Sequence, residues 1–444
     1  MMSDSYELRL YDQALLGFEL SSDAAAGYMA KIKQIGGQFG GSCGPSGQCG
    51  LCGTCETCRP SGQCGQYRPC ETCGPSGQCR LYGLLPLDME ISGEGVLKWL
   101  SRRTIPKNRA YVHNILNAMG LSLRDTKGII DICKGLSLND SYWVVPEGFD
   151  GKFADYNLYE NRFSEILALT ALTGESISEE KARRIRTSPE FTTNGMLPKA
   201  WRRIGGRITL FKGGIWRQYA AAPDPLEPYS EYYAAQIADA MGLNPVMYGL
   251  SRWKGVLGCT CGLFTDIDTA YVPIAAVARR LLSGKASSRY YSVCGDWFKA
   301  FDRENGTSLF DYFASTLVFD SLILNEDRHL GNFGVLRDNH SGKIIGNAPI
   351  FDNGISLFNY SSIQELRKLD THTQAYANCF KQPFDTQAKE FGGALQAEQL
   401  SRLSDFKFKR HSRYNWDAER MEIIQGYVRR RAGQLMETIM QIRR

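Results

Sequence analysis

The 444-residue sequence predicts an α+β protein, in which a part that mixes strands and helices precedes a mostly helical part. Three observations support this prediction. Apolar runs with strand-like alternation and runs with helical spacing take turns up to about residue 265. Beyond that point the apolar spacing is mostly helical. A Cys-rich repeat near the N-terminus offers almost nothing to a core, so it divides the first region rather than forming a domain of its own.

Composition narrows the class of protein. Hydrophobic residues make up 43% of the chain and charged residues 22%, as in ordinary globular proteins, and the length suffices for about two or three domains. The net charge of +5 is too small to indicate nucleic-acid binding. The N-terminus lacks the apolar segment of a signal peptide, and no run approaches about 18 apolar residues. We therefore expect a cytoplasmic protein without direct nucleic-acid or membrane contact.

Residues 1–150 are predicted to form an N-terminal α/β region. Its first segment, residues 5–31, suggests a strand in "YELRLYD", a turn, a second short strand and then a helix. Two helices separated by Pro106 follow in "GVLKWLSRRTIPKNRAYVHNILNAMGL". The region closes with a short helix in "TKGIIDICKGLS" and a strand in "DSYWVVPEG".

A Cys-rich tandem repeat with a period of 15 residues interrupts this region at about residues 40–80, and it holds nine of the 14 Cys. Its CxxC pairs could bind zinc as tetrahedral thiolates, and these pairs are Cys49/Cys52, Cys55/Cys58 and Cys70/Cys73. Alternatively, the repeat is a tandem expansion in a surface loop, which costs little free energy. Disulfide formation or redox sensing is a third alternative. We favour the passive loop, because a fitted metal site would need distinct residues around each ligand.

Residues 151–265 are predicted to hold a helix closed by Gly174, followed by strands. The strand "RITLFKGG" carries Lys212 near its end, and the helix "SEYYAAQIADAMGL" is predicted to start with Ser230 as N-cap and Glu231 in its first turn. An extended segment, "GCTCGLFT", closes this part. Residues 266–444 are predicted to be mostly helical, and the arginines of the last helix to form a solvated face.

The most informative stretch is "NEDRHLGNFGVLRDNHSGKIIGNAPIFDNG", residues 325–354. Asp327 and Asn332 are five residues apart in a predicted loop, a β-hairpin follows, and Asp352 then opens an Asp-x-Gly turn. Protein kinases use such an Asp as the base for the acceptor hydroxyl, and such an Asn and second Asp as magnesium ligands. Magnesium prefers these hard oxygen ligands. The ordered set therefore indicates Asp327 as catalytic base and Asn332 with Asp352 as metal ligands.

The segments "NEDRHLGNF" and "PIFDNG" together resemble the HipA-like kinases, bacterial serine/threonine kinases with a phosphoinositide-kinase-like fold. The resemblance covers about residues 155–440. It implies a bilobal protein-kinase-like fold, with a mixed β-containing N-lobe at 151–265 and a helical C-lobe at 266–444. The N-lobe would hold the nucleotide loop and the hinge. It also implies ATP and Mg²⁺ as cofactors and an antitoxin-like protein as a partner.

The resemblance further assigns nucleotide-binding roles to Lys212 and, as its ion-pair partner, Glu231. The alternatives are an exposed strand-end lysine and a glutamate that only stabilises its own helix. A phosphate-binding loop would lie in "FTTNGMLPK", although an ordinary turn before a strand fits that segment equally well. The loop residues concerned are Thr193, Asn194, Gly195 and Lys199.

The segment "GCTCGLFT" is expected to be the hinge, with Leu263 and Phe264 beside adenine. Cys259 and Cys261 alternate at strand spacing, so they are expected to be small core residues. His329 could donate a hydrogen bond to the γ-phosphate or only support the catalytic loop.

These features predict an ATP- and Mg-dependent kinase that phosphorylates serine or threonine of a protein substrate, with the chain itself among the candidate acceptors. The alternative is a non-catalytic kinase-like scaffold, with a zinc-binding Cys-rich segment for protein or nucleic-acid contact. The complete set of Asp327, Asn332, Asp352 and Lys212 favours the kinase, because a scaffold has no need of all four.

Overall fold

The computed structural model of the chain describes residues 3–23, 27–35, 77–117, 119–123, 125–178, 180, 185, 187–215, 225–369 and 376–441. The predicted zinc ligands of the Cys-rich repeat lie outside these residues. The described strands form three antiparallel sheets, which follow one another along the chain. None of the described helices combines the length and the apolar composition needed to span a bilayer.

The N-terminal sheet has the strand order β3-β2-β1-β4. Its strands are β1 (Ser3–Leu10), β2 (Gln13–Asp23), β3 (Gly27–Ile35) and β4 (Tyr142–Pro146). On β1 the alternate residues Tyr6, Leu8 and Leu10 are buried, which is the pattern of a half-buried strand. The predicted helix at the end of residues 5–31 is wrong, because this segment is the edge strand β3. Ladder pairing with β2 overrides the weak helical preference of its Ala and Lys residues.

Helices cover one face of this sheet, and they bear out the two helices around Pro106 and the helix before β4. They are α1 (Gly77–Leu84), α2 (Gly93–Arg102), α3 (Val112–Asn117) and α4 (Thr126–Cys133). The Ser92 hydroxyl caps α2 by accepting a 3.0 Å hydrogen bond from the Gly95 N–H. Leu8, Trp99, Leu100 and Ile130 belong to one buried apolar cluster, so strands and helices here share a core. We call residues 3–146 the N-terminal unit.

The second sheet, in the order β5-β6-β8-β7, carries the residues predicted to bind nucleotide. Its strands are β5 (Lys199–Ile204), β6 (Arg207–Gly213), β7 (Gly249–Trp253) and β8 (Val256–Gly262). The helices before it are α5 (Phe153–Tyr156) and α6 (Glu165–Thr173), and Gly174 closes α6 in the predicted left-handed conformation. Cys259 and Cys261 are buried, as predicted.

Helix α7 (Glu227–Ala240) lies against this sheet and starts earlier than the sequence predicted. Pro228 lies in its first turn, where a missing N–H costs nothing. Ser230 is therefore inside the helix and is not its N-cap; its hydroxyl donates a 3.1 Å hydrogen bond to the Ser356 carbonyl. Glu231 is consequently in the second turn of α7, fully buried.

The last part is mostly helical, as predicted, and also holds the sheet β11-β10-β9. Its strands are β9 (Thr269–Pro273), β10 (Gly334–Asp338) and β11 (Ile344–Asn347), and β10 with β11 is the predicted hairpin. Its helices are α8 (Ile274–Leu282), α9 (Tyr290–Asn305), α10 (Leu309–Ile323), α11 (Ile363–Leu366), α12 (Phe384–Phe391), α13 (Ala394–Ser401) and α14 (Ala418–Gln441). One apolar core joins α7, α10 and α14 to strands β7 and β8. The domain boundaries after residues 150 and 265 stay predictions.

Candidate active site

Lys212 lies near the end of β6, and its ammonium group is enclosed by two carboxylates. Its Nζ donates a 2.5 Å hydrogen bond to Glu231 Oε1 and a second, short one to the carboxylate of Asp352. Only 6% of Lys212 is exposed, so it is not an exposed strand-end lysine. Burial opposes its charge, but Asp352 and Glu231 outweigh burial and hold the pKa of Lys212 well above its usual value. The lysine is therefore charged at neutral pH, and two carboxylates hold its ammonium group in place.

Glu231 connects two parts of the site. Its Oε1 accepts from Lys212, and its Oε2 accepts a 2.7 Å hydrogen bond from the backbone N–H of Asn353. Both carboxylate oxygens thus have partners outside helix α7, so Glu231 does more than stabilise its own helix. This contact ties the N-lobe helix to the Asp-Asn-Gly turn that follows the hairpin.

Asp352 is held in a sparsely populated backbone conformation, with φ at +59°. Its N–H donates a 3.3 Å hydrogen bond to the Tyr248 hydroxyl. Burial would raise the pKa of Asp352, but the ammonium groups of Lys212 and Lys199 outweigh it and hold the pKa well below the usual carboxyl range. Asp352 is therefore ionised at neutral pH, as a metal ligand must be.

The predicted catalytic loop folds around the backbone carbonyl of Asp327. This carbonyl accepts from the His329 N–H at 2.7 Å and from Asn332 Nδ2 at 2.9 Å. The contact through Nδ2 leaves Asn332 Oδ1 available as a ligand oxygen. Burial, followed by the nearby Asp352 carboxylate, raises the pKa of Asp327, which suits a group that must take up a proton.

His329 is exposed, and its ring lies over its own loop. Its Nδ1 lies 3.1 Å from the Gly331 N–H, in the tautomer that accepts this hydrogen bond. Of the two predicted roles, this contact corresponds to support of the catalytic loop. Hydrogen bonding to phosphate through the other ring nitrogen stays a prediction.

Arg328 is the main residue that sequence reasoning missed. It is fully buried between the catalytic and Asp-Asn-Gly segments, and its guanidinium donates to three parts of the chain. These donations go to Asp320 at 2.9 and 3.1 Å, to the Asn332 carbonyl at 3.0 Å, and to the Phe351 carbonyl and the Asn353 side chain. The signal in the sequence was Asp320, a carboxylate within the otherwise apolar helix α10.

Asn325 completes the support of this loop. Its Nδ2 donates to Asp320 at 3.0 Å, and its Oδ1 accepts from the Asp327 N–H at 3.1 Å. The buried Asp320 carboxylate therefore orients Asp327 through Asn325 and Asn332 through Arg328. Asp327, Asn332 and Asp352 are thereby held by one hydrogen-bonded network.

The predicted phosphate loop lies between a 3₁₀ turn (Pro189–Phe191) and β5. Gly195 has a φ of +92°, which favours glycine. Lys199 pairs in register with Lys212, so both side chains lie on one face of the sheet. Its Nζ donates a 2.8 Å hydrogen bond to the Asn194 carbonyl. Burial, then Lys212 and Arg109, lowers the pKa of Lys199 to about 7.

The backbone of this loop has N–H groups that are free to donate hydrogen bonds, which an anion site needs. Within the described residues, the N–H groups of Asn194, Gly195, Met196 and Leu197 donate no hydrogen bond. The Thr193 hydroxyl, in contrast, is engaged inside the protein, since it donates to the Pro189 carbonyl at 2.7 Å and accepts from Trp201 Nε1 at 3.0 Å. The loop can therefore offer backbone donors more readily than this hydroxyl.

The predicted hinge residues face different ways. Phe264 packs against Phe351, beside the Asp-Asn-Gly turn, with ring centroids 5.4 Å apart. Leu263 packs against the apolar cluster around Trp143, and its N–H donates to the Ile208 carbonyl at 3.0 Å. Its N–H is thus already used, and adenine contacts by Leu263 and Phe264 stay predictions.

No protein-family model matches the chain. Serine/threonine-protein kinase CtkA of Helicobacter pylori strain J99 is 30% identical over 133 residues. This match spans 29% of the chain and 40% of CtkA, so the chain matches less than half of this relative's length.

Among solved structures, HipA of Shewanella oneidensis MR-1, in complex with HipB and operator DNA, matches 99% of both chains. The TM-score is 0.51 and the identity 12%. The chain has the fold of a HipA-like kinase. The structural similarity to HipA also includes the N-terminal unit, which lies outside the part of the chain that the sequence motifs cover. The crystal structure of H. pylori CtkA matches 56% of the chain and 92% of its own, with a TM-score of 0.44 and 17% identity.

Proposed function

We propose that the chain is an ATP- and Mg-dependent kinase that transfers the γ-phosphate to a serine or threonine hydroxyl of a protein, with the chain itself among the candidate acceptors. One observation carries this proposal. The buried Lys212 forms ion pairs with the buried Glu231 and with the part-exposed Asp352, and Arg328 joins the Asp352 turn to the loop of Asp327 and Asn332. Kinases place their nucleotide lysine, metal aspartate and catalytic base in such a relation.

The residues at the metal position suit Mg²⁺. Asp352 is an ionised carboxylate, and Asn332 is oriented through its Nδ2 so that Oδ1 is available. These are hard oxygen donors, the kind that magnesium prefers. When bound, the ion would neutralise phosphate charge. Lys212 would bind the α- and β-phosphates as a point charge, and Glu231 would keep it in place.

Asp327 would act on the acceptor. The acceptor oxygen forms a bond to the γ-phosphorus while the bond from phosphorus to the ADP oxygen breaks, and Asp327 takes the hydroxyl proton. The raised pKa of Asp327 favours this uptake. Arg328 and Asn325 would hold the loop so that this carboxylate meets the hydroxyl in a constant geometry.

The relatives' names support the same class of reaction. CtkA is named a serine/threonine-protein kinase, and the HipA structure is that of a toxin–antitoxin system in which HipA is in complex with HipB and operator DNA. The proposal accordingly includes a protein substrate and an antitoxin-like partner protein. It places the chain in the cytoplasm.

The test is phosphate transfer from γ-labelled ATP by the purified chain, alone and with a cell lysate, with Mg²⁺ or with a chelator. We expect Mg-dependent labelling of protein, and loss of transfer by orders of magnitude in Asp327→Ala with nucleotide binding retained. Asp405→Ala removes an exposed carboxylate and is the matched control. Labelling by Asp327→Ala at the wild-type rate would make the base assignment wrong. Nucleotide binding without any transfer would instead favour the scaffold.

A further inference from the structure

Two residues of the N-terminal unit hold the predicted phosphate loop by donating hydrogen bonds to carbonyl groups of the loop. The Arg109 guanidinium donates to the Thr193 carbonyl at 3.0 Å and to the Lys199 carbonyl at 2.7 Å, one on each side of the loop. The neighbouring Ala110 N–H donates to the Met196 carbonyl, in the middle of the loop, at 2.9 Å. Two consecutive residues, more than eighty positions away in sequence, thus fix three carbonyls of the loop.

Arg109 has few other partners. It is 97% buried, and within the described residues its guanidinium donates only to the Thr193 and Lys199 carbonyls, with Nε left without a hydrogen-bond partner. Burial lowers the pKa of Arg109 to about 10, and the Glu190 carboxylate acts against this shift. The side chain therefore stays charged at neutral pH. A buried cation is costly unless it is hydrogen-bonded, and the partners of this one are mainly carbonyls of the loop.

This arrangement has a consequence for the other side of the loop. In a planar trans peptide, the N–H points opposite to the carbonyl of the same peptide unit. Since the Thr193 and Met196 carbonyls point to the N-terminal unit, the N–H groups of Asn194 and Leu197 point away from it. These belong to the loop N–H groups that donate no hydrogen bond within the described residues.

We propose that Arg109, with Ala110, is a positioning residue of the phosphate site: it fixes the loop carbonyls so that the opposite N–H groups are presented to the nucleotide phosphates. This inference rests on the proposed kinase function. It predicts that the N-terminal unit affects binding of the phosphates and leaves binding of the nucleoside unchanged.

The test compares ATP, ADP and adenosine binding by calorimetry in metal-free buffer. In Arg109→Met we expect ATP and ADP to bind about tenfold more weakly, because two charge-assisted hydrogen bonds that hold the loop are lost. Adenosine, which lacks phosphates, should bind as to the wild type. Arg109→Lys keeps the charge but not the two-pronged geometry, so its loss should be intermediate. Arg102→Met removes an arginine of the same unit that pairs with Asp88, and serves as the matched control.

The outcomes separate this inference from the proposed function. If the wild type binds adenosine as tightly as ATP, the site does not recognise the phosphates, and the result contradicts the proposed kinase function itself. If the wild type prefers ATP, and either Arg109 variant binds adenosine normally and keeps the full preference for ATP, the positioning role is wrong. Should Arg109→Met lose adenosine binding through misfolding, Arg109→Lys decides by the same comparison.

Discussion

Replacing Arg328 with Met should be among the most destabilising single changes in the C-lobe. The guanidinium is fully buried and donates to Asp320, to the Asn332 and Phe351 carbonyls and to Asn353. Methionine preserves most of the apolar stem but offers no donor. The substitution therefore removes one partner of a buried ion pair and leaves the Asn332 and Phe351 carbonyls without their arginine.

The size of the stability loss in Arg328→Met depends on the hydrogen-bond partners that Asp320 keeps. Its carboxylate is 0% exposed, and its remaining side-chain donor is Asn325 Nδ2 at 3.0 Å. Breaking a buried ion pair by removing one partner costs about 3–5 kcal/mol, because the other charge stays buried without compensation. We expect the free energy of unfolding to fall by this amount in urea denaturation at neutral pH.

A second variant separates two contributions to the stability loss, namely the unpaired Asp320 carboxylate and the lost packing of the arginine side chain. In Asp320→Asn/Arg328→Met no unpaired charge remains, so the double variant should be more stable than Arg328→Met alone. Arg367→Met removes an exposed ion pair with Glu419 and should change stability little. The reasoning is refuted if Arg328→Met costs no more than Arg367→Met, or if the second substitution recovers nothing.

The pH dependence gives an independent check. Burial raises the pKa of Asp320, and Arg328 acts against this shift. Without Arg328 the folded-state pKa should rise further above the unfolded value, so that folding takes up a proton. Stability from this group is then present at low pH and is lost as pH rises through the folded pKa. The difference in free energy of unfolding between the wild type and Arg328→Met should therefore become smaller as the pH is lowered from about 8 to about 5.

Three further predictions concern the proposed chemistry and the repeat. Asp352→Asn should weaken Mg-dependent ATP binding by about tenfold or more and metal-free binding less, because a charged ligand is lost; equal losses would indicate misfolding. The rate of transfer should fall as pH decreases through the raised pKa of Asp327, since protonation removes the base; a rate unchanged down to about pH 4 would contradict this role. Deleting residues 40–76, up to the start of α1, should leave a folded and active chain. Bound zinc together with a chelator-sensitive melt would overturn this expectation.

The positions of the candidate site residues in the fold could be predicted because each lies at or after the end of an element that the sequence marks clearly. Helix α10 ends where its apolar run ends, which places Asp327 and Asn332 in a loop. The hairpin has recognisable strands and a Gly-containing turn, so Asp352 comes after it. Lys212 follows from the strand pattern of β6. Local signals and spacing were sufficient in these cases.

The errors arose where tertiary contacts decide. Strand β3 contains Ala and Lys, which favour helices, and its pairing with β2 is invisible in the local sequence. The sequence predicts the start of α7 too late, because Ser230 has the properties of an N-cap. Pro228 was the better signal, since proline is favoured in a first helical turn. In the structure Ser230 has a different use, as a donor to a distant carbonyl.

The role of the N-terminal unit could not have been predicted, and the reason lies in the chemistry of buried arginine. Arg109 donates to carbonyls of the phosphate loop, and Arg337 of the hairpin donates to the Leu85 carbonyl at 3.2 Å and the Tyr142 hydroxyl at 2.7 Å. Every residue has a carbonyl, so a sequence carries no mark of which one an arginine will find. These contacts tie the N-terminal unit to the loop before β5 and to the hairpin between Asn332 and Asp352. Because the N-terminal unit is hydrogen-bonded to both lobes, we expect a change within it to alter the distance between the predicted phosphate loop and the Asp-Asn-Gly turn.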